Sequence, residues 1–236
     1  MKIYGAGSLD DVKRCSELGA AGILTNPQGF EQYFEGSMTL PEITRAIVEV
    51  TALPVFIQIH GQSAGALIDR ALSLHEISPR VGFKIIADEK GFRAIAELQK
   101  RKIDCIATTL FSLSQASVAA SVGAFGICPF VSRGLYIGLN MFEILSAIRE
   151  GYDRLEDPPR IIAVSLKNLS DVELALSAGV DAVGMRYPLL KQMMAHPLSE
   201  KAELLFAKNW ARVKGEDVSY LSHGLGLEGS AEDSVH

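Results

Sequence analysis

The chain is poor in cysteine, poor in aromatics and without a long apolar run. Its 236 residues hold three cysteines, Cys15, Cys105 and Cys128, none at metal-type spacing. That pattern excludes a disulfide-stapled secreted scaffold and fits buried thiols in a reducing compartment. No apolar stretch approaches the ~20 residues that span a bilayer, so no membrane partner is expected. Met1–Tyr4 leads straight into a strand-like segment without a signal-peptide pattern, and a cytoplasmic location is expected. Positive charge is not in excess either. Lys plus Arg is 23 and Asp plus Glu 28, a net charge of −5. A mildly acidic chain suits neither nucleic acid nor anionic lipid as a general partner. No His, Cys, Asp or Glu cluster has ligand spacing, so no metal is expected. Gly5-Ala6-Gly7 lacks the third glycine of a dinucleotide loop, so no cofactor is expected.

What is present is an ordinary globular composition, 48% hydrophobic and 22% charged, able to bury a full core. Short apolar runs alternate with amphipathic stretches. The strand candidates are Lys2–Tyr4, Gly22–Leu24, Val55–Ile59, Gly82–Ile86, Asp104–Ala107, Ala124–Cys128, Ile161–Val164 and Ala182–Met185. Between and after them, Asp10–Leu18, Leu40–Val50, Ser63–Ser78, Lys90–Lys102, Ser112–Val122, Asn140–Gly151, Ser170–Ala178 and Pro188–His196 read as helices. Ser8 and Asp11 form a capping pattern at the first of them. Eight such βα units predict an α/β fold, a closed (β/α)8 TIM barrel over residues 1–198. An extra C-terminal helix lies within 199–221, with Leu204, Leu205, Ala207, Trp210 and Val213 on its apolar face. That face needs a cover, either a neighbouring subunit or its own barrel. The Gly-, Ser- and acid-rich stretch 222–236 reads as a disordered tail.

In such a barrel, chemistry sits at the C-terminal ends of the strands. Lys84 lies within the apolar run Val81–Ala87. Alternation puts Gly82, Lys84 and Ile86 on one face. If that face is inward, a desolvated ammonium loses its proton more readily and the free amine can attack a ketone. If it is not, the lysine snorkels outward. Gln58 shares a face with Phe56 and His60. It either orients a water or a substrate hydroxyl, or is a satisfied core amide. His60 is an acid–base candidate or a structural strand-end histidine. Thr25 and Asn26 end the second strand, where Asn26-Pro27 reads as a turn or as a substrate contact. Thr108 ends the fifth strand. Arg133, Ser165, Lys167 and Arg186 follow the sixth, seventh and eighth, where barrels often bind phosphate. Singly each could be a solvated surface group; together they form a candidate anion site.

Taken in order, Thr25-Asn26-Pro27, Phe56-Ile57-Gln58, Phe83-Lys84-Ile85-Ile86, Thr108, Cys128-Pro129-Phe130-Val131-Ser132-Arg133 and Ala163-Val164-Ser165-Leu166-Lys167 resemble the small transaldolases and fructose-6-phosphate aldolases. The resemblance runs from Met1 to about Gly215. It implies a metal-free Schiff-base mechanism at Lys84. A ketose or its phosphate would be cleaved to leave a dihydroxyacetone unit on the enzyme. An aldose acceptor then makes the reaction a transaldolase, and water makes it an aldolase. The resemblance places Asn26 and Thr108 on the donor unit, and Arg133 and Ser165 on the phosphate. It also implies a C-terminal helix that reaches a neighbouring subunit in a homodecamer of two pentamers. Two departures stand out. Where the family has an aspartate on the first strand, this chain has Ala6. Gln58 matches the aldolases, while Phe130 matches the transaldolases, so neither a glutamate nor a tyrosine is at hand to handle a proton. General acid–base groups contribute about 10²–10⁴-fold each. His60 is a candidate substitute. The alternatives are a member that binds a sugar phosphate without turnover, and a barrel enzyme of different chemistry.

Overall fold

Strand alternation and helix capping together build a closed barrel. The computed structural model describes residues 1–34 and 37–213, with only the backbone for Phe30, Tyr33 and Phe34. Eight parallel strands run β1 (Lys2–Ala6), β2 (Gly22–Leu24), β3 (Val55–Gln58), β4 (Val81–Ile86), β5 (Cys105–Leu110), β6 (Gly126–Pro129), β7 (Arg160–Ala163) and β8 (Ala182–Arg186). They pair in chain order, and β8 closes on β1. The helices are α1 (Leu9–Glu17), α2 (Pro27–Phe34), α3 (Leu40–Val50), α4 (Ala64–His75), α5 (Glu89–Lys100), α6 (Leu113–Ser121), α7 (Val131–Tyr136), α8 (Met141–Tyr152), α9 (Leu169–Ser177), α10 (Tyr187–Met194) and α11 (Pro197–Trp210). The TIM barrel with an extra C-terminal helix is as the sequence implies.

Polar caps start the outer helices. Ser8 and Asp11 form the expected capping box on α1. Ser63, Asp88, Ser112, Asn140 and Asn168 accept first-turn amide protons of α4, α5, α6, α8 and α9, which satisfies donors that have no intrahelical partner. Outward strand residues such as Val55, Ile57, Phe83, Ile85 and Ile127 are buried, as are Ile43, Ile47, Leu67, Ile95, Leu98, Leu145 and Ile148 on the helices. Burial on both faces explains why the strands read as continuous apolar runs.

Inside, alternation sets side chains in layers drawn from alternate strands. Gly22, Gly82, Gly126 and Ala182 form a floor of small residues. Above them lie Tyr4, Phe56, Ile106 and Ile162, all buried. The floor is small because the layer above is large. A Cβ on Gly82 would lie 2.9 Å from Phe56 Cε1 and 2.6 Å from the Asp104 carbonyl, and one on Gly22 2.8 Å from Tyr4 Cε1. Next come Leu24, Lys84, Cys128 and Gly184, and above them Ala6, Gln58, Thr108 and Val164.

Two short helices, α2 and α7, were not expected. Asn26 Oδ1 accepts from Gly29 N at 2.7 Å and Pro27 follows at the first helical position, so the turn is the start of α2. The six residues of α7 are too few to show a period. The chain divides into two compact units, Met1–Leu190 and Lys191–His236. The first holds the barrel. In the second, α11 begins at His196, whose Nδ1 accepts from Leu198 N at 3.2 Å, and buries none of its side chains. Lys214 and the tail expected at 222–236 lie outside the described residues. Among the described residues no helix is long and apolar enough to cross a membrane.

The floor layer generates a test. Gly82→Ala forces backbone or Phe56 to move and is expected to cost about 1–3 kcal/mol in urea unfolding. Gly65→Ala, whose Cβ would meet only Ser63 Oγ at 3.9 Å, is expected to stay within about 0.5 kcal/mol of the parent.

Candidate active site

Lys84 points into the barrel. Its side chain is 3% exposed, and Nζ donates to the Thr25 carbonyl oxygen at 2.9 Å. That acceptor is held by β3. Thr25 N donates to the Phe56 carbonyl at 3.1 Å, Thr25 Oγ1 donates to the same oxygen at 3.3 Å, and Gln58 N donates to Thr25 Oγ1 at 2.9 Å. Gln58 is the register partner of Lys84. The ammonium form is disfavoured here. Burial pushes the Lys84 pKa below its ordinary 10.5, and the Arg133 charge pushes the same way. A Cys128 thiolate would oppose this, but burial raises that thiol to about 11, so at neutral pH it is uncharged and offers no counter-charge. Desolvation without an anionic partner shifts the balance toward the free amine, relative to an exposed lysine.

Above Lys84 the wall is polar on one side and apolar on the other. Gln58 and Thr108 come from β3 and β5. Gln58 Oε1 and Thr108 Oγ1 are buried and have no hydrogen-bond partner among the described residues. Buried polar atoms are nearly always paired in native proteins, so these two are groups in want of a ligand or a water. Ala6 and Val164, from the β1 and β7 side, offer only methyl groups. Phe130 is 8% exposed; its ring meets Phe111 edge-on at 6.2 Å, and the Arg133 guanidinium lies 4.9 Å from its centroid.

The anion candidates sit around the mouth. Arg133 is exposed on α7. Ser165 is half-buried in the left-handed region, φ 61°, and its carbonyl accepts from Ser132 N at 3.1 Å. Asp171 ties this corner together: its Oδ2 accepts from Ser132 Oγ at 2.8 Å and from Lys167 N at 3.0 Å. The Lys167 side chain is exposed. Arg186 ends β8 as the register partner of Ala6.

The structure therefore brings Lys84, Thr25, Gln58, Thr108, Phe130 and Arg133 to one end of the barrel. Asn26 is exposed and caps α2. The chain leaves β3 after Gln58, and exposed His60 has Nδ1 3.5 Å from Arg70 Nη1 on α4. Cys128 escaped the reading as more than a buried thiol, although its place on the inward face of β6 could have been read from alternation. Among the described residues no group of His, Cys, Asp or Glu could hold a metal ion.

Lys84 is thus a buried lysine of lowered pKa on the inward face of β4, next to two polar side-chain atoms without a partner among the described residues. Residues 6–226 match the family model for transaldolase/fructose-6-phosphate aldolase, and the chain belongs to that family. It is 32% identical over 211 residues to a probable transaldolase of Desulforudis audaxviator, covering 88% of this chain and 95% of that one. It is 26% identical over 215 residues to a probable transaldolase of Thermoplasma volcanium, covering 90% and 96%. Among solved structures, one like it is a putative phosphonomutase from Burkholderia cenocepacia, TM-score 0.59, at 16% identity over 86% of this chain and 92% of that one. A flavocytochrome b2 gives TM-score 0.55 at 15% identity over 78% and 56%. These two share the fold alone.

The lowered Lys84 pKa has a stability consequence. Between the folded pKa and 10.5, the unfolded chain binds a proton that the folded chain lacks, so this group makes stability rise with pH across that window. Lys84→Met removes the group. Its Tm is expected above the parent at neutral pH, with the gain shrinking as pH climbs to 10.5. A pH-independent difference in thermal melts would mean the amine is not desolvated.

Proposed function

We propose that the protein is a class I aldolase of the transaldolase type that works through an imine on Lys84. The observation that carries this reading is the uncharged environment of Nζ, held by one main-chain carbonyl inside the barrel. The free amine attacks the carbonyl carbon of a ketose or ketose phosphate. The carbonyl oxygen departs as water and an iminium remains. The bond between the third and fourth carbons then breaks, and its electron pair passes into the iminium to give an enamine. The fourth-carbon hydroxyl loses its proton as that carbon becomes an aldehyde. The enamine next adds to an aldose acceptor, as a transferase, or takes a proton, as a lyase; hydrolysis then frees the lysine.

Gln58 Oε1 and Thr108 Oγ1 supply the polar atoms for a water that carries protons, with Phe130 closing the cavity over it. Thr25 orients the amine, and Asn26 lies beside the donor unit. Arg133, Ser165 and Lys167 receive the phosphate, Arg133 as a charged fork and Ser165 as a neutral donor. His60 is a candidate for the proton relay; His60→Ala without loss of turnover removes it. The pentose phosphate pathway and a cytoplasmic site of action follow from the same reading. For the assembly we propose a homodecamer or homopentamer with α11 as the inter-subunit contact, which the exposed Leu205, Phe206 and Trp210 of α11 support. A second reading, a member that binds sugar phosphate without turnover, is favoured by the same wall: among the described residues, those named around Lys84 include no carboxylate.

Borohydride trapping separates the two. With saturating fructose 6-phosphate or dihydroxyacetone, a reduced adduct is expected on Lys84 by intact mass and peptide mapping, and none in Lys84→Met. Thr108→Val is expected to keep the adduct but slow turnover about 10²-fold or more. An adduct without aldehyde release supports the binding-only reading. No adduct at all overturns the imine.

A further inference from the structure

We propose that the end of the barrel away from the mouth carries a second site, which takes the phosphate group of a small phosphomonoester, or free phosphate, against Arg160, Lys2 and the Tyr4 hydroxyl. A cavity of about 300 Å³ opens there, with Lys2, Tyr4, Arg149, Pro158, Arg160 and Asp181 in its lining. Lys2 begins β1, Arg160 begins β7, and Asp181 immediately precedes β8. These strands are neighbours, since β8 pairs with both β7 and β1. All three residues therefore sit at N-terminal strand ends, whereas Gln58 and Thr108 lie toward the other ends of β3 and β5. The cavity shares no residue with the site around Lys84.

The charge of this cavity is unmatched. Arg149 is engaged by two carboxylates, with Nη1 3.1 Å from Asp181 Oδ1 and Nε 2.8 Å from Asp153 Oδ1. Asp181 Oδ2 in turn accepts from Ile161 N at 2.7 Å. Lys2 and Arg160 enter no ion pair among the described residues. Asp104 feels the Arg160 charge without forming a pair with it. Lys2 and Arg160 thus face one cavity with their charges free, which suits a phosphate.

Arg160 is also held in place before any ligand arrives. Its guanidinium lies over the Phe125 ring, 4.2 Å from the centroid, and donates to the Tyr4 side chain. Phe125 stacks on Phe56, which meets Tyr4. A fork fixed in this way loses little freedom on binding. Tyr4 is buried, and burial pushes its pKa above the ordinary 10.0, so at neutral pH the hydroxyl keeps its proton. While its oxygen accepts from Arg160, that proton has no acceptor among the described residues. Buried polar groups are seldom left so, and an anion in the cavity supplies the acceptor. The space is of small-molecule size, and the Asp181 oxygens keep lone pairs for a hydroxyl. A short hydroxylated phosphomonoester fills it better than phosphate alone.

The test titrates glycerol phosphate, inorganic phosphate and glycerol into the full chain by calorimetry. None of the three carries a ketone, so the Lys84 amine does not react. Every protein carries Arg133→Gln, which removes the guanidinium at the mouth. In that background the two phosphates are expected to bind and glycerol is not. Adding Arg160→Gln is expected to weaken phosphate binding about tenfold or more, adding Lys2→Gln by a smaller factor, and adding Tyr4→Phe by less again. Thermal melts confirm that each variant folds, and exposed Lys2 keeps the test open should Arg160→Gln fail to. Tighter binding of glycerol phosphate assigns a phosphomonoester, and equal binding assigns free phosphate. Phosphate binding indifferent to Arg160→Gln and Lys2→Gln alike, or no saturable binding of either phosphate, overturns the proposal.

Discussion

The chemistry proposed for this barrel depends on one hydrogen bond, from Lys84 Nζ to the carbonyl of Thr25. It satisfies a buried amine without giving it a negative charge. A carboxylate in that place would hold the ammonium and suppress nucleophilicity. A carbonyl gives the proton-bearing nitrogen an acceptor at a lower electrostatic cost to deprotonation. The surroundings keep to the same rule: burial keeps the Cys128 thiol neutral at neutral pH, and the like charge of Arg133 also lowers the Lys84 pKa.

The layers beneath make this arrangement possible. A floor of three glycines and one alanine admits Tyr4, Phe56, Ile106 and Ile162, which are buried below Lys84. Tyr4 and Phe56 meet at 6.2 Å between centroids, and Phe56 stacks on Phe125 at 5.2 Å. The amine lies between this layer and the one that holds Gln58 and Thr108. Size in one layer and smallness in the next are the same requirement, seen from two strands.

Much of this was legible in the sequence, because a barrel writes its architecture in two periods. Strand alternation put Gly82, Lys84 and Ile86 on one face, and the burial of Lys84 makes that face the interior. The capping residues located helix starts, as Ser8 and Asp11 show. Other features depend on geometry no local pattern carries. Asn26-Pro27 reads equally as a turn or a helix start, and only the bond from Gly29 decides. His60 follows Gln58 by two positions, yet the strand ends at Gln58 and alternation lapses there. That the Lys84 partner is the main chain of Thr25 could not be read at all, since carbonyl direction is not encoded by residue type. The pairing of Ala6 with Arg186 is likewise a fact of closure, between residues at opposite ends of the barrel sequence.

Holding the amine by a peptide oxygen has a consequence for the way such a protein can change over generations. A side-chain acceptor can be lost by a single codon change; a main-chain acceptor cannot. The Thr25 side chain could drift, provided the carbonyl keeps its direction; the Thr25 N bond to the Phe56 carbonyl holds the adjoining peptide plane. The placement of the Lys84 amine is in this sense inherited from the strand pairing itself. The residues around the mouth are then free to diverge, while the contact that holds the amine stays in place.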